Sequence, residues 1–393
     1  MAAVAAFEPK QTKTVTHVGR QLEYYGHGTD PAWGAKNPNQ QDTFAVLLPK
    51  TGPRKGAPLY VVLHSAGHNL WSCLDCQKTP HNHDLYTPPA DFYALYLDCA
   101  TNRGTDWWWG QNGAGLEETP VEKRVIATVL WTVKKYGIDP NRVYLSGISM
   151  GGSGTLGIGL RHGDIFAAIK ANVPAIEWFE HPMKSLGLPP YALPEGTRLP
   201  DPPVTVDYSS QIDHWSIGHE RLIAGMRDRK YGWMLFWGAY GHANADAWIA
   251  KKNDIINAFD WLSVRLDQPY PAFTDATTDT PSPWPDDLKG QGAGQINGFF
   301  RWEEPSADDK GVGLVLRLAT AGELRSRIFQ VPGRSTATLT LRRLGKFAVK
   351  PGDRLAWTFG EAKGEITVGA DGLVTIPSLT VTATPKRLEV VRK

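Results

Sequence analysis

The fold of this chain is determined by one segment, Val143-Tyr144-Leu145-Ser146-Gly147-Ile148-Ser149-Met150-Gly151-Gly152-Ser153-Gly154. An apolar run passes here through a G-x-S-x-G turn into small and apolar residues, which predicts a buried strand, a sharp turn and a helix. A serine hydroxyl is a weak nucleophile and needs a fixed, exposed position with a base beside it. The turn supplies such a position, so we interpret Ser149 as a candidate nucleophile.

Composition limits the classes of protein to which the chain can belong. It has 393 residues, of which 41% are hydrophobic and 21% charged, with a net charge of +2 and 15 Trp. These values are typical of a soluble globular protein and give no reason to expect nucleic acid or an acidic membrane as partner. No run approaches the roughly 18–20 apolar residues that span a bilayer. The first eight residues lack a basic region but resemble the remnant of a cleaved signal peptide, so we expect a secreted or periplasmic protein.

Apolar strands and helical segments alternate through the first two thirds of the chain, which predicts a doubly wound, mostly parallel sheet. A helix is predicted at 121–136, with Pro120 in its first turn, Gly137 as its C-cap, and Lys and Glu on its exposed face. The predicted strands are 14–27 and 42–49, as an antiparallel pair, followed by 58–64, 92–97, 143–148, 166–171, 203–208 and 233–237. Helices are also predicted at about 216–229 and 246–266.

Composition changes near residue 267, where Pro, Thr, Asp and Gly become frequent. We predict a catalytic domain at 1–266, a Pro-rich linker at 267–294, and an accessory domain at 295–393. Short alternating runs separated by turn residues predict seven to nine strands in the last segment, arranged as a β-sandwich. The Pro- and Gly-rich insertion at 177–202 is expected to be a functional loop, and its Trp178 a substrate-binding residue.

Asp213 and His242 complete a candidate catalytic set with Ser149. Ser149, Asp213 and His242 occur in the order nucleophile, acid, base, each just after an apolar run. Because the carboxyl ends of parallel strands meet at one edge of a sheet, these residues are expected to converge there. Asp207 is the alternative acid, although it lies within its strand run.

Other candidate assignments remain open at this point. His214 and His219 are alternatives to His242 as the base. Asp213 could instead be the N-cap of the helix near 216. Three successive tryptophans cannot all point inward, so we expect one or two of Trp107, Trp108 and Trp109 to line the substrate site.

Cysteine and histidine residues form a second cluster, Cys73-x2-Cys76 followed by His81-x-His83. Its spacing is similar to that of zinc sites, but only one pair is present. A local disulfide or free thiols are the preferred interpretation, and no metal is predicted. His64 and His68 are interpreted as walls of the loop that follows the 58–64 strand.

The residues resemble the esterase branch of the α/β-hydrolase superfamily, in particular the polyhydroxybutyrate depolymerase, feruloyl esterase and acetylxylan esterase group. The resemblance covers roughly residues 14–265. It is carried by residues 60–67, by Asp139-Pro140-Asn141-Arg142-Val143-Tyr144 leading into Gly147-Ile148-Ser149-Met150-Gly151-Gly152, and by Gly241-His242. That group usually has His-Gly where this chain has His64-Ser65, and a shorter acid loop. The resemblance implies an oxyanion hole formed by the backbone N–H groups of Ala66 and Met150, with His64 at its wall.

The predicted function is that of a serine carboxylesterase that cleaves feruloyl or acetyl esters of plant polysaccharide through an acyl-enzyme. No cofactor is needed, and a monomer is expected. Alternatives are a polyester depolymerase, a peptidase of the same fold, and a carbohydrate-binding protein with an inactive hydrolase domain.

Overall fold

A computed structural model of the chain describes residues 7–29, 33, 40–79, 84–99, 107–109, 115–176, 180–238, 241–242, 258–281, 293–324 and 329–393. The chain divides into two compact units. Unit 1 contains Met1–Pro203 and Trp215–Gly218, and unit 2 contains Val204–His214 and His219–Lys393. Over the described residues, none of the helices combines the length and the apolar content needed to cross a bilayer.

In the described part of unit 1 there are seven strands: β1 (Lys10–His17), β2 (Arg20–Gly28), β3 (Gln41–Leu47), β4 (Leu59–Leu63), β5 (Tyr93–Leu97), β6 (Val143–Ile148) and β7 (Ala168–Asn172). They lie in the order β1-β2-β3-β5-β4-β6-β7. The strands β5, β4, β6 and β7 are parallel neighbours, and β1, β2, β3 and β5 are antiparallel neighbours. All residues of β4 to β7 are buried, as expected for strands covered on both faces.

The first predicted strand, 14–27, is wrong in one respect, because it is a hairpin of β1 and β2. The chain reverses at Val18 and Gly19, which both have positive φ. The surrounding β-branched and aromatic residues favour extended structure, and a two-residue turn leaves little trace in such a run.

Over its described residues, unit 1 also has four α-helices: α1 (Leu70–Cys76), α2 (Pro120–Tyr136), α3 (Met150–Arg161) and α4 (His181–Leu186). The ends of α2 are as predicted, with Pro120 in the first turn and Gly137 as a left-handed C-cap. Its polar face differs from the prediction, because Glu122 is fully buried and contacts Arg161 and His162 at 3.0 and 2.9 Å. The predicted loop at 177–202 contains α4.

Unit 2 begins with two parallel strands, β8 (Val204–Ser210) and β9 (Trp233–Gly238), joined through α5 (His219–Asp228). The predicted helix at 216–229 is therefore confirmed as α5, preceded by a short 3₁₀ turn at His214–Ser216. The predicted closing helix falls largely on residues outside those described, and its last part is a 3₁₀ turn at Trp261–Ser263.

Among the described residues, the rest of unit 2 is mainly β, as predicted, with one short helix. The bounds are β10 (Tyr270–Thr274), β11 (Gly294–Ile296), β12 (Phe300–Ala307), β13 (Gly311–Leu318), α6 (Ala321–Leu324), β14 (Arg334–Arg342), β15 (Arg354–Phe359), β16 (Ala362–Thr367), β17 (Val374–Thr382) and β18 (Lys386–Arg392). One sheet has the order β10-β14-β17 and another the order β12-β13-β18-β15-β16. Phe273 of β10 and Phe300 of β12 stack with ring centroids 3.9 Å apart, which joins the two sheets as in a sandwich.

The segment predicted as a linker, 267–294, contains structure of its own. It includes β10, which pairs with β14, and it ends at β11, which pairs with β9. These pairings tie the segment to both parts of unit 2. The domain boundaries at 266 and 294 stay a prediction.

Candidate active site

Ser149 occupies the turn between β6 and α3 in a strained conformation, with φ 57° and ψ −116°. A non-glycine residue in that region has a cost, and such residues concentrate at functional sites. The flanking glycines allow the turn to close. A Cβ at Gly147 would lie 2.3 Å from the Gly151 carbonyl oxygen, and one at Gly151 would lie 2.0 Å from the Leu63 carbonyl oxygen. The G-x-S-x-G pattern is thus required by close backbone approach.

Hydrogen bonds fix the backbone around Ser149. Its N–H donates to the carbonyl of Asn172 at 2.8 Å, and its own carbonyl accepts from Ser153 N–H at 2.9 Å. The Ser153 hydroxyl in turn accepts from Ala175 N–H at 2.7 Å. The turn is therefore held both to β7 and to the residues that follow it.

His242 and Asp213 are in direct contact within unit 2. His242 Nδ1 lies 2.7 Å from Asp213 Oδ2. The Asp213 side chain is 2% exposed, whereas that of His242 is 40% exposed. With Nδ1–H donated to the carboxylate, Nε2 is left as the basic nitrogen, which is the tautomer that a general base requires.

The alternative acid and one of the alternative bases form a separate buried group. Asp207 Oδ2 lies 3.1 Å from His219 Nε2, and the Ser209 hydroxyl contacts both side chains at 3.1 and 2.9 Å. All three residues are fully buried. This group joins β8 to the start of α5 on either side of the Asp213 loop. The other alternative, His214, is exposed at the start of the 3₁₀ turn.

The two predicted oxyanion donors lie at a turn and at a helix start. Ala66 is exposed in a turn closed by a hydrogen bond from His68 N–H to the Ser65 carbonyl. Met150 is the first residue of α3, and N–H groups in the first turn of a helix have no intrahelical acceptor. The Met150 N–H thus lies at a helix N-terminus, where an anion can be bound, and the role of both residues as oxyanion donors stays a prediction.

His64 is placed differently from the prediction, because its ring is buried and engaged with protein. His64 Nε2 lies 3.2 Å from Asp98 Oδ1 and 3.4 Å from Cys99 Sγ, and Nδ1 lies 2.9 Å from the Ser65 carbonyl. Burial lowers the pKa of His64, but Cys99 and Asp98 outweigh it and raise the pKa above its usual range. The ring braces the loop after β4 and has little surface to offer a substrate.

The three successive tryptophans divide between core and surface. Trp108 and Trp109 are buried, which corrects their assignment as substrate-binding residues, and Trp107 is half-buried. The rings of Trp107 and Trp109 stack with their centroids 5.4 Å apart. Trp108 Nε1 donates to the His64 carbonyl at 2.8 Å, and a Cβ at Gly154 would lie 2.5 Å from the Trp108 Cβ. Trp108 thus wedges between α3 and the loop after β4.

The remaining candidate residues form neither a substrate site nor a metal site in the part of the chain that the structure describes. Trp178, His81 and His83 lie outside the described residues. Cys73 and Cys76 are free, buried thiols on α1. Within the described ranges, no group of three or more His, Cys, Asp or Glu side chains is arranged to hold a metal ion.

Comparison with known proteins gives one family match and several similar structures. The sequence profile of the prolyl oligopeptidase family matches residues 85–229. No match is found among curated proteins. An S-formylglutathione hydrolase from Agrobacterium tumefaciens is similar at 16% identity, with 61% of this chain and 94% of that chain covered and a TM-score of 0.43. A fluorophosphonate-binding serine hydrolase from Staphylococcus aureus is 14% identical, with 62% of this chain and 98% of that chain covered and a TM-score of 0.41. A ferulic acid esterase is 15% identical, with 60% of this chain and 96% of that chain covered and a TM-score of 0.41.

The turn at Ser149 and the parallel strands around it lie within or beside the residues that the family profile matches. Parallel strands buried on both faces carry a strained serine between β6 and α3, and the matched residues include this turn. A histidine bonded to a buried aspartate follows in chain order. The chain therefore has an α/β-hydrolase fold, with Ser149 at the turn between β6 and α3.

Proposed function

We propose that the chain is a serine carboxylesterase in which Ser149 is the nucleophile, His242 the general base and Asp213 the orienting acid. The observation that carries the proposal is the 2.7 Å contact between His242 Nδ1 and Asp213 Oδ2. With Nδ1 on the carboxylate, Nε2 is the nitrogen that we assign to accept the Ser149 proton. The strained backbone at Ser149 gives independent support, since such strain is found where a side chain must be held for chemistry.

The proposed reaction has two halves. In the first, Ser149 Oγ attacks the acyl carbon while its proton passes to His242 Nε2, and the imidazolium then gives this proton to the leaving alcohol oxygen. In the second, His242 takes a proton from water, the resulting hydroxide attacks the acyl-enzyme, and the proton returns to Ser149 as the acid leaves. Asp213 stabilises the imidazolium in both halves.

Negative charge develops on the carbonyl oxygen in each tetrahedral intermediate. We assign its stabilisation to the N–H groups of Ala66 and Met150. The Met150 N–H lies at the N-terminus of α3, where the helix dipole favours an anion. Two such donors account for a rate factor of about 10²–10³ each in serine hydrolases.

The finer part of the proposal concerns the substrate, for which we favour feruloyl or acetyl esters of plant polysaccharide. It rests on the sequence resemblance and on Trp107, which is half-buried and stacked on Trp109, so that part of an indole is available to an aromatic acyl group or a sugar. Action on such polymers goes with a secreted or periplasmic monomer, which remains part of the proposal.

A peptidase is the second candidate, because the prolyl oligopeptidase profile matches 85–229. Ester and amide hydrolysis use the same three residues, so the triad does not separate the two functions. A polyester depolymerase remains open for the same reason. A binding protein with an inactive hydrolase domain is disfavoured by the intact His242–Asp213 contact.

The test is to measure initial rates of the full chain on p-nitrophenyl acetate, methyl ferulate, acetylated xylan and glycyl-prolyl p-nitroanilide. The Ser149→Ala variant is compared with Ser263→Ala, which alters an exposed serine. We expect turnover of at least one ester, loss of it in Ser149→Ala, and wild-type rates in Ser263→Ala. Methyl ferulate or acetylated xylan as the best substrate supports the finer proposal.

Other outcomes contradict the proposal at different levels. Turnover of the anilide alone makes the chain a peptidase. Ester turnover retained in Ser149→Ala refutes the nucleophile. No turnover of any of the four substrates contradicts the esterase proposal and supports the hypothesis of a binding protein with an inactive hydrolase domain.

A further inference from the structure

His181, the first residue of α4, is a fully buried histidine that the proposed reaction does not use. Its ring lies face-on against α3 at Gly157. A Cβ at Gly157 would lie 2.2 Å from Nδ1 of the ring and 2.3 Å from its Cγ and Cε1. Neither ring nitrogen makes a well-formed hydrogen bond to a residue that the structure describes. Buried polar groups are nearly always paired, so a histidine in this position calls for an explanation.

The same ring joins α4 to the successive tryptophans. Trp109 packs edge-on against His181, with ring centroids 6.1 Å apart and planes at 60°. Trp107 is stacked on the other indole, Trp109, with planes at 5°. The three rings form a continuous series that ends on α3, the helix that follows the turn at Ser149. His181 thereby helps to hold Trp107 at a fixed place relative to the proposed nucleophile.

Burial lowers the pKa of His181 from 6.5 to about 4, because the charged ring would lose its hydration. Charged groups reach the ring from three helices. Glu122 of α2 favours a proton on it, whereas Arg161 of α3 and Lys184 of α4 oppose one. Glu122 also contacts Arg161 at 3.0 Å and His162 at 2.9 Å, so its charge is shared among several partners. The packed ring is therefore neutral.

The sign of the pH dependence follows from this difference in pKa. A histidine freed from the packed state regains a pKa near 6.5, so release of α4 is coupled to uptake of a proton. The contact of His181 with Gly157 and Trp109 is fully favoured above pH 6.5. It weakens as the pH falls from 6.5 toward 4.

We propose that the neutral ring of His181 is a positioning element that holds Trp109, and through it Trp107, against α3, and that protonation of this ring releases α4. The proposal rests on the proposed function in one respect, namely that Trp107 contacts the substrate. The packing of His181 lies within unit 1 and requires no reaction, so it can be tested separately.

The first experiment is hydrogen–deuterium exchange of the full chain at pH 7.5 and pH 4.5, corrected for the intrinsic exchange rate at each pH. The amides to follow are those of Lys184, Gly187 and Leu188, whose N–H groups donate within and just after α4. His181→Phe keeps an aromatic ring that takes up no proton. His17→Phe is the matched control, because it removes another buried histidine at the end of β1.

Between the two pH values, the two pKa values shift the equilibrium for release of α4 by about 70-fold. We expect the protection of these amides, relative to that of α2, to fall by this factor in wild type and in His17→Phe. It should change less than about threefold in His181→Phe. The proposal is overturned if the relative protection is the same at both pH values in wild type, or falls equally in His181→Phe. If His181→Phe does not fold, His181→Leu takes its place.

The second experiment tests positioning through the ratio of kcat/KM for methyl ferulate to kcat/KM for p-nitrophenyl acetate. Titration of His242 cancels in this ratio, because both substrates share the proposed base. At pH 7.5 we expect His181→Ala to lower the ratio about tenfold through a higher KM for methyl ferulate, the size of one lost aromatic contact. His181→Phe should restore it.

Equal losses on both substrates in His181→Ala would mean a structural role alone and would overturn the positioning role. Absence of methyl ferulate turnover in wild type contradicts the proposed substrate instead. In that case the exchange experiment alone decides whether His181 holds α4.

Discussion

Replacing Asp213 by Asn tests the proposed acid with the smallest change of shape. The amide keeps the size of the carboxylate but removes its charge, 2.7 Å from His242 Nδ1. It also offers N–H groups where Nδ1–H now donates, which favours the imidazole tautomer with the proton on Nε2. That tautomer has no basic nitrogen directed at Ser149 in the proposed mechanism.

The magnitude follows from the charge that is lost. The imidazolium and carboxylate charge centres lie roughly 4 Å apart, and at an effective dielectric constant of about 20 their attraction is about 4 kcal/mol. That constant suits a pair in which Asp213 is 2% and His242 40% exposed. Because about 1.4 kcal/mol changes a rate tenfold, kcat is expected to fall about 10³-fold, and the tautomer change extends this toward about 10⁴-fold.

The assay is kcat on p-nitrophenyl acetate, with Asp207→Asn as the matched control. Asp207 is fully buried against His219, so its substitution is expected to lower the free energy of unfolding by about 3 kcal/mol. Its kcat per folded molecule should stay within about threefold of wild type. A kcat for Asp213→Asn within tenfold of wild type would refute the assignment, and a 10³-fold loss in folded Asp207→Asn instead would transfer the role of the acid to Asp207.

Three further predictions concern packing and charge. Trp108→Phe leaves the His64 carbonyl without its 2.8 Å donor and should lower the free energy of unfolding by about 1–3 kcal/mol in urea denaturation; an unchanged midpoint would contradict this. Gly151→Ala places a methyl group 2.0 Å from the Leu63 carbonyl oxygen, so the variant is expected to lose solubility or activity on p-nitrophenyl acetate; a soluble, fully active variant would show that the turn is not tightly packed. Burial raises the pKa of Asp279 from 3.8 to about 7, so the folded state holds a proton that the unfolded state releases, and stability falls between pH 4 and 7. Asp279→Asn should remove this fall, gaining up to about 4 kcal/mol over wild type at pH 8 and nothing at pH 4; parallel stability curves for the two proteins would contradict the assignment.

The features that could be read from the sequence are those fixed by neighbouring residues. The helix α2 was predictable to its ends, because Pro120 and Gly137 act on the backbone within one turn. The turn at Ser149 was predictable because its glycines reflect a backbone approach that tolerates no Cβ. The position of His242 after β9 followed from the strong apolar run before it.

Features that depend on distant partners were missed. Glu122 was expected on the exposed face of α2, yet it is buried, since Arg161 and His162 supply the opposite charge. No spacing rule connects residues about 40 positions apart in the chain. The pairing of Asp207 with His219 was hidden in the same way, although both had been candidates for catalysis.

The sequence by itself therefore determined the α/β class, the candidate nucleophile and the chain order of the proposed acid and base, because hydrophobic period and glycine sterics act locally. Only the tertiary structure decided which aspartate contacts His242, and that Trp108 and Trp109 belong to the core while Trp107 keeps exposed surface. Burial and hydrogen bonding depend on which surfaces meet when the chain packs. Three identical side chains in succession therefore do not indicate which of them will be buried.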